Sequence, residues 1–166
     1  MANERLEVDR IIPAEPAAIF DVLRSPQGHV SIDSSGMLMS AEGAPAAKVG
    51  DEFVVHMDRD ALRDFPLGLY DVTVSFTRFE QDRAIEWTIL SSFLNPSLGH
   101  VYGYELEPVD GGTRVTSYYD WSNLHESYRE TIKFPIIPES ALRATLGILS
   151  RTVAPGKPRP VEPGGN

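Results

Sequence analysis

The chain contains no cysteine. Disulfides, thiolate metal sites and cysteine nucleophiles are thereby excluded. Positive charge is also scarce: 15 Lys and Arg stand against 24 Asp and Glu, a formal net charge of −9. Neutralising phosphates needs basic patches, so no nucleic-acid partner is expected. Charge-driven adhesion to anionic membranes is disfavoured on the same ground. No stretch approaches eighteen consecutive apolar residues, and the opening MANERLEVDR has no apolar run of signal-peptide length. The expectation is a cytoplasmic protein with no integral membrane segment. Histidines are few as well. His29, His56, His100 and His125 show no close ligand spacing, so neither a metal nor another cofactor is expected. There is no glycine-rich phosphate loop and no Gly-x-Ser-x-Gly elbow.

With 166 residues the chain suits one domain, and at that size folding buries roughly 70% of the unfolded surface. Residues 1–153 are read as that domain. The final APGKPRPVEPGGN, residues 154–166, carries four prolines and three glycines. It cannot make a helix interior or a sheet ladder, and is expected to be a flexible tail.

Leu6 to Ile12 reads as a first strand. PAEPAAIFDVLRSP then reads as a helix, with Pro16 in its first turn and Ile19, Phe20 and Leu23 on one face. Pro26 is expected to end it, and Gln27 to Ile32 to form a short second helix before the turn-rich DSSGM. The apolar period then changes to two. Phe53, Val55 and Met57 share a face, as do Tyr70, Val72, Val74 and Phe76, and then Ile85, Trp87 and Ile89. His100, Tyr102, Tyr104 and Leu106 form the next face. Asp110-Gly111-Gly112 marks a hairpin, and Val115, Ser117, Tyr119 and Trp121 return beside them. Pro138 opens a last helix whose Leu142, Leu146, Leu149 and Val153 make one apolar stripe. An antiparallel meander has an apolar face that needs a cover, and this helix supplies it.

This order of elements resembles the SRPBCC superfamily, the START-like helix-grip fold. The resemblance is carried by IIPAEPAAIFDVLRSP, by YDVTVSFTRFEQDRAIEWTI and by YELEPVDGGTRVTSYYDW followed by the amphipathic helix, and it spans residues 5 to 153. It implies an α+β protein: a curved antiparallel sheet of about six or seven strands around a long C-terminal helix, with one or two short helices after the first strand. It also implies a cavity between sheet and helix, which relatives use for lipids, sterols, polyketides or other apolar molecules. No catalytic motif is common to that superfamily, so the resemblance transfers no catalytic residue.

The residues themselves suggest the cavity wall. His100, Tyr102, Tyr104, Ser117, Tyr119 and Trp121 stand where a plain core would place Val, Leu and Ile. A buried tyrosine or tryptophan needs a partner for its polar tip. Together with Phe20, His29, Ile32, Asp33, Met57, Tyr70, Trp87, Leu142 and Leu146 they are the candidate ligand-binding set, unless they are ordinary core residues. His29 and Asp33, four residues apart, either pair for proton transfer at the cavity mouth or serve as cap and turn. HMDRD, residues 56–60, is read as a solvated strand end.

Three functions fit. The first is a carrier or sensor of a small hydrophobic or aromatic molecule. The second is a metal-free cyclase or dehydratase of the polyketide type, with His100, Tyr102 and Tyr119 as acid–base groups. The third is a module that regulates a protein partner. The sequence leans towards binding without catalysis, and leaves a homodimer open.

Overall fold

The period-two stretches build a seven-stranded antiparallel sheet. The computed structural model describes residues 3–160. Its order is β1 (Arg5–Ile12), α1 (Pro16–Leu23), α2 (Pro26–Ile32), β2 (Leu38–Glu42), β3 (Glu52–Asp58), β4 (Leu69–Glu80), β5 (Ala84–Leu90), β6 (Val101–Val109), β7 (Gly112–Asp120) and α3 (Glu139–Val153). Strands β2 to β7 form a meander, and β1 closes it by pairing with β7, giving the order β1-β7-β6-β5-β4-β3-β2. The sheet is curved, and with α3 it makes the helix-grip α+β architecture.

Two local expectations are corrected. Pro26 does not merely end α1. It is the first residue of α2, where its missing N–H has no intrahelical partner to lose, and Ser25 caps that helix by accepting from the Gly28 N–H at 3.2 Å. Strand β2 was not foreseen. Its LMSAE segment lies at the sheet edge with no fully buried residue, so it shows little apolar alternation.

A bulge in β4 between Phe76 and Arg78 changes the strand's parity. Phe79 therefore turns inward like Phe76, and its ring meets Phe20 of α1 edge-on at 5.2 Å. Along α3 the stripe behaves as its spacing requires. Leu142, Leu146 and Leu149 are buried, and Val153 packs at the margin of the same core. Of the expected tail, residues 154–160 are described. Ala154 is buried at the end of α3 and Pro160 lies beside Gly111, so this part rests on the domain; residues 161–166 lie outside the described residues.

Candidate functional site

Between the inner face of the sheet and α3 lies a cavity of about 480 Å³. Val55, Val72, Val74, Trp87 and Ile89 form its sheet side, and Leu142 of α3 with Ile136 and Ile137 just before it form the opposite side. Phe65, Leu67 and Phe93 reach it from two loops and are among the exposed large apolar residues.

Strand register assembles the aromatic wall. Trp87 pairs with Tyr102 across β5 and β6, and Tyr102 pairs with Tyr119 across β6 and β7. The three rings stand in a row. Tyr102 and Tyr119 are stacked 4.3 Å apart and nearly parallel, and Trp87 lies 6.4 Å from Tyr102. His100 precedes β6 and its Nδ1 lies 2.7 Å from the Tyr119 hydroxyl. That hydroxyl also lies close to Tyr102 and to the backbone at Ile136. Tyr104 pairs with Ser117 in the register.

Burial sets the electrostatics. Desolvation, assisted by the charge of Arg59, pulls His100 down to about 4. Desolvation pushes Tyr102 and Tyr104 up to about 12 and raises Tyr119 as well. All four are neutral at pH 7.

Of the expected ligand set, His29, Ile32, Asp33, Met57, Tyr70, Trp87, Tyr104, Ser117 and Leu142 lie on the cavity wall, as do His100 and Tyr102. Phe20, Tyr119, Trp121 and Leu146 do not. Phe20 belongs to the core under α1, and Leu146 is sealed beneath α3. Tyr119 is covered by the chain at Ile136, and Trp121 is packed between Tyr119 and Phe134.

The suggested His29–Asp33 pair does not form. His29 Nε2 donates to the Leu23 carbonyl at 2.7 Å, and its ring sits among Phe53, Phe76 and Trp87. Asp33 instead organises the turn after α2, accepting from the N–H groups of Ser35, Gly36 and Leu38 and from the Ser35 hydroxyl. Desolvation lowers His29 to about 4, which suits a neutral core histidine. His56 faces outward and meets Asp71 at 2.7 Å and Glu42 at 3.3 Å.

Sequence reasoning missed Arg59. It was grouped with the solvated strand end, yet it is 9% exposed and lines the cavity. Its guanidinium grips Asp64 at 2.8 and 2.6 Å and donates to the Tyr70 hydroxyl at 3.2 Å. The signal was present: Arg59 continues the parity of Phe53, Val55 and Met57. Among the described residues no cluster of His, Asp or Glu suits a metal ion, and no helix is long and apolar enough to cross a membrane.

No protein-family model matches the chain, and no curated protein matches it in sequence. Solved structures do match in fold. Protein CV1439 from Chromobacterium violaceum superposes with a TM-score of 0.66 at 13% identity, covering 92% of this chain and 98% of that one. The Aha1 dimer from Colwellia psychrerythraea gives 0.62 at 20% identity, with 95% and 100% covered. The AHSA1-like protein from Aeromonas hydrophila gives 0.57 at 17% identity, with 90% and 91% covered. At such identities the likeness establishes the helix-grip fold and leaves function to the site.

Proposed function

We propose that the protein binds a small hydrophobic or aromatic molecule in the cavity between sheet and α3, as a carrier or sensor. The observation that carries this reading is the cavity itself: about 480 Å³ walled almost entirely by apolar and aromatic side chains with a few polar groups. Sites for small molecules have that size and composition, about 300–1,000 Å³.

The acid–base reading is less well supported. A general acid or base works best with its pKa near the operating pH. Here burial drives His100 down to about 4, drives Tyr102 and Tyr104 up to about 12, and raises Tyr119 as well, away from neutrality on both sides. The same groups serve well as fixed hydrogen-bonding contacts for a bound molecule.

The test is native mass spectrometry of the purified protein, followed by titration with a panel of fatty acids, sterols and aromatic polyketides. A one-to-one complex with at least one class, displaced by a competitor, is expected. Failure of every class to bind would refute the proposal.

A further inference from the structure

Several polar side chains break the apolar wall, Asp33, Ser34, Ser91 and Thr145 among them, and two, Arg59 and His100, carry nitrogens with hydrogen-bonding capacity left over. Arg59 is the only Lys or Arg among the cavity-lining residues described. A guanidinium has five N–H donors. The contacts to Asp64 take two and the contact to Tyr70 takes one, which leaves two for another acceptor. His100 is the second group. It is 4% exposed, and its Nε2 is buried without a hydrogen-bond partner. The other ring nitrogen, Nδ1, lies 2.7 Å from the Tyr119 hydroxyl. When that hydroxyl donates to Nδ1, the proton of the neutral imidazole sits on Nε2, as an unused donor. A buried donor without an acceptor is costly, and native structures rarely leave one so.

The charge balance at this point narrows the class of acceptor. Asp64 already neutralises Arg59. A ligand carboxylate would add an uncompensated negative charge to a low-dielectric site, next to a wall that also holds Asp33, in a chain of net charge −9. A neutral oxygen adds none. A plain hydrocarbon would leave the donors unused.

We propose that Arg59 and His100 together recognise a neutral carbonyl oxygen, so that the ligand is an uncharged aromatic or alicyclic ketone, quinone or ester. This rests on the cavity-binding reading above and names the ligand class for the same site. The flat rings of Trp87 and Tyr102 lie on the same wall and suit a planar ring system.

The experiment uses three probes of one shape: 2-acetylnaphthalene, 2-ethylnaphthalene and 2-naphthoate, each titrated calorimetrically into the intact protein. The ketone is expected to bind about tenfold more tightly than the hydrocarbon, the worth of a donor pair left unmet, and the carboxylate is expected to bind more weakly than the ketone. The infrared stretch of the ¹³C-labelled carbonyl is expected to fall on binding. In Arg59→Met the preference for the ketone over the hydrocarbon should shrink to less than threefold. The comparison on the wild-type protein decides the matter even if that variant does not fold. Equal binding of ketone and hydrocarbon, an unshifted carbonyl stretch, or tightest binding of the carboxylate would each overturn the carbonyl assignment while leaving cavity binding intact. If none of the three binds while a fatty acid or a sterol does, this inference falls and the cavity-binding reading stands; if those fail as well, both fall.

Discussion

Lowering the pH should destabilise the fold well before its carboxylates are protonated. His29 and His100 have an ordinary value of 6.5 and lie at about 4 in the folded protein. Because the folded value is depressed, each histidine is neutral in the native state while the unfolded chain takes up a proton below pH 6.5. Their contribution is complete above about pH 6.5 and is lost as the pH falls towards 4. Between pH 7.5 and 4.5 the linkage relation gives a loss of about 2.5 kcal/mol per histidine, or about 5 kcal/mol for both. That is a large part of the roughly 5–15 kcal/mol that holds a typical domain together. The surroundings agree. His29 meets the Leu23 carbonyl and three aromatic rings, and His100 meets Tyr102, Tyr119, Phe134 and the field of Arg59. Asp64 and Asp120 are also held below their ordinary 3.8, but they act only under about pH 4. His56 has the opposite sign. Asp71 raises its pKa, so its contribution is lost as the pH rises, and it sits in solvent. The assay is urea denaturation at half-unit steps from pH 7.5 to 4.5, for wild type, His29→Gln and His100→Asn. Gln and Asn retain a group near the hydrogen-bonding nitrogen but cannot titrate. Each variant should lose about half of the acid-induced fall. A wild-type curve that is flat over this range, or variant curves parallel to it, would refute the reasoning.

Gly28→Ala should be much more harmful than Gly103→Ala. A Cβ at Gly28 would stand 1.9 Å from the Val22 carbonyl oxygen, which is backbone and cannot yield, whereas at Gly103 it would meet the Tyr118 ring at 2.2 Å. That ring can swing aside at the expense of its 2.9 Å bond to Glu86. Losses of about 3 kcal/mol or more and of about 1–2 kcal/mol are expected in urea melts, and equal losses would contradict this packing. Leu149→Ala, deep under α3, should cost about 2–5 kcal/mol, read as a fall in Tm; a shift within error would show that α3 does not seal the core. Trp87 lines the cavity and Trp121 does not. A bound naphthyl ketone should therefore change tryptophan emission in Trp121→Phe and leave it nearly unchanged in Trp87→Phe; the reverse pattern would put the ligand elsewhere.

The fold was legible where one periodicity ran unbroken. The stripe from Leu142 to Leu149 and the alternation through β5, β6 and β7 required a covered antiparallel sheet. Legibility failed at β2, an edge strand whose side chains bury little. It failed again at Arg59, for a chemical reason. A charged residue at the end of a strand is usually solvated, and only the approach of Asp64 from the loop before β4 allows this one to lie inside. Tyr119 and Trp121 show a different limit. Their parity correctly sent them inward, but alternation says only which face a residue occupies. Whether that face meets a void or the segment at Phe134 and Ile136 depends on chain far away in sequence.

The void itself follows from the widths of the two layers. Seven strands spaced about 4.8 Å apart span roughly 30 Å, whereas a helix with its side chains is about 10–12 Å across. Helix α3 lies over β1 and β7, and α2 lies against β2 and β3 and against α3. Helix α1 touches β6 and, through Phe20, Phe79 near the end of β4, so the middle of the sheet has no long helix lying along it. There the wall is Val72, Val74, Trp87, Ile89 and Tyr102, and the opposite side is made by Leu142 of α3, by Ile136 and Ile137 before it, and by loop residues such as Leu94, Leu98 and Ile132. A solid core would need larger side chains from these strands or a second long helix, and this chain supplies neither. The apolar wall gives attraction without direction. Selectivity is left to the few polar groups that break it, and of these Arg59 keeps N–H donors, and His100 a ring nitrogen, that the protein itself does not use. The same geometry that leaves the sheet half covered thus gives a ligand both its space and the polar contact that orients it.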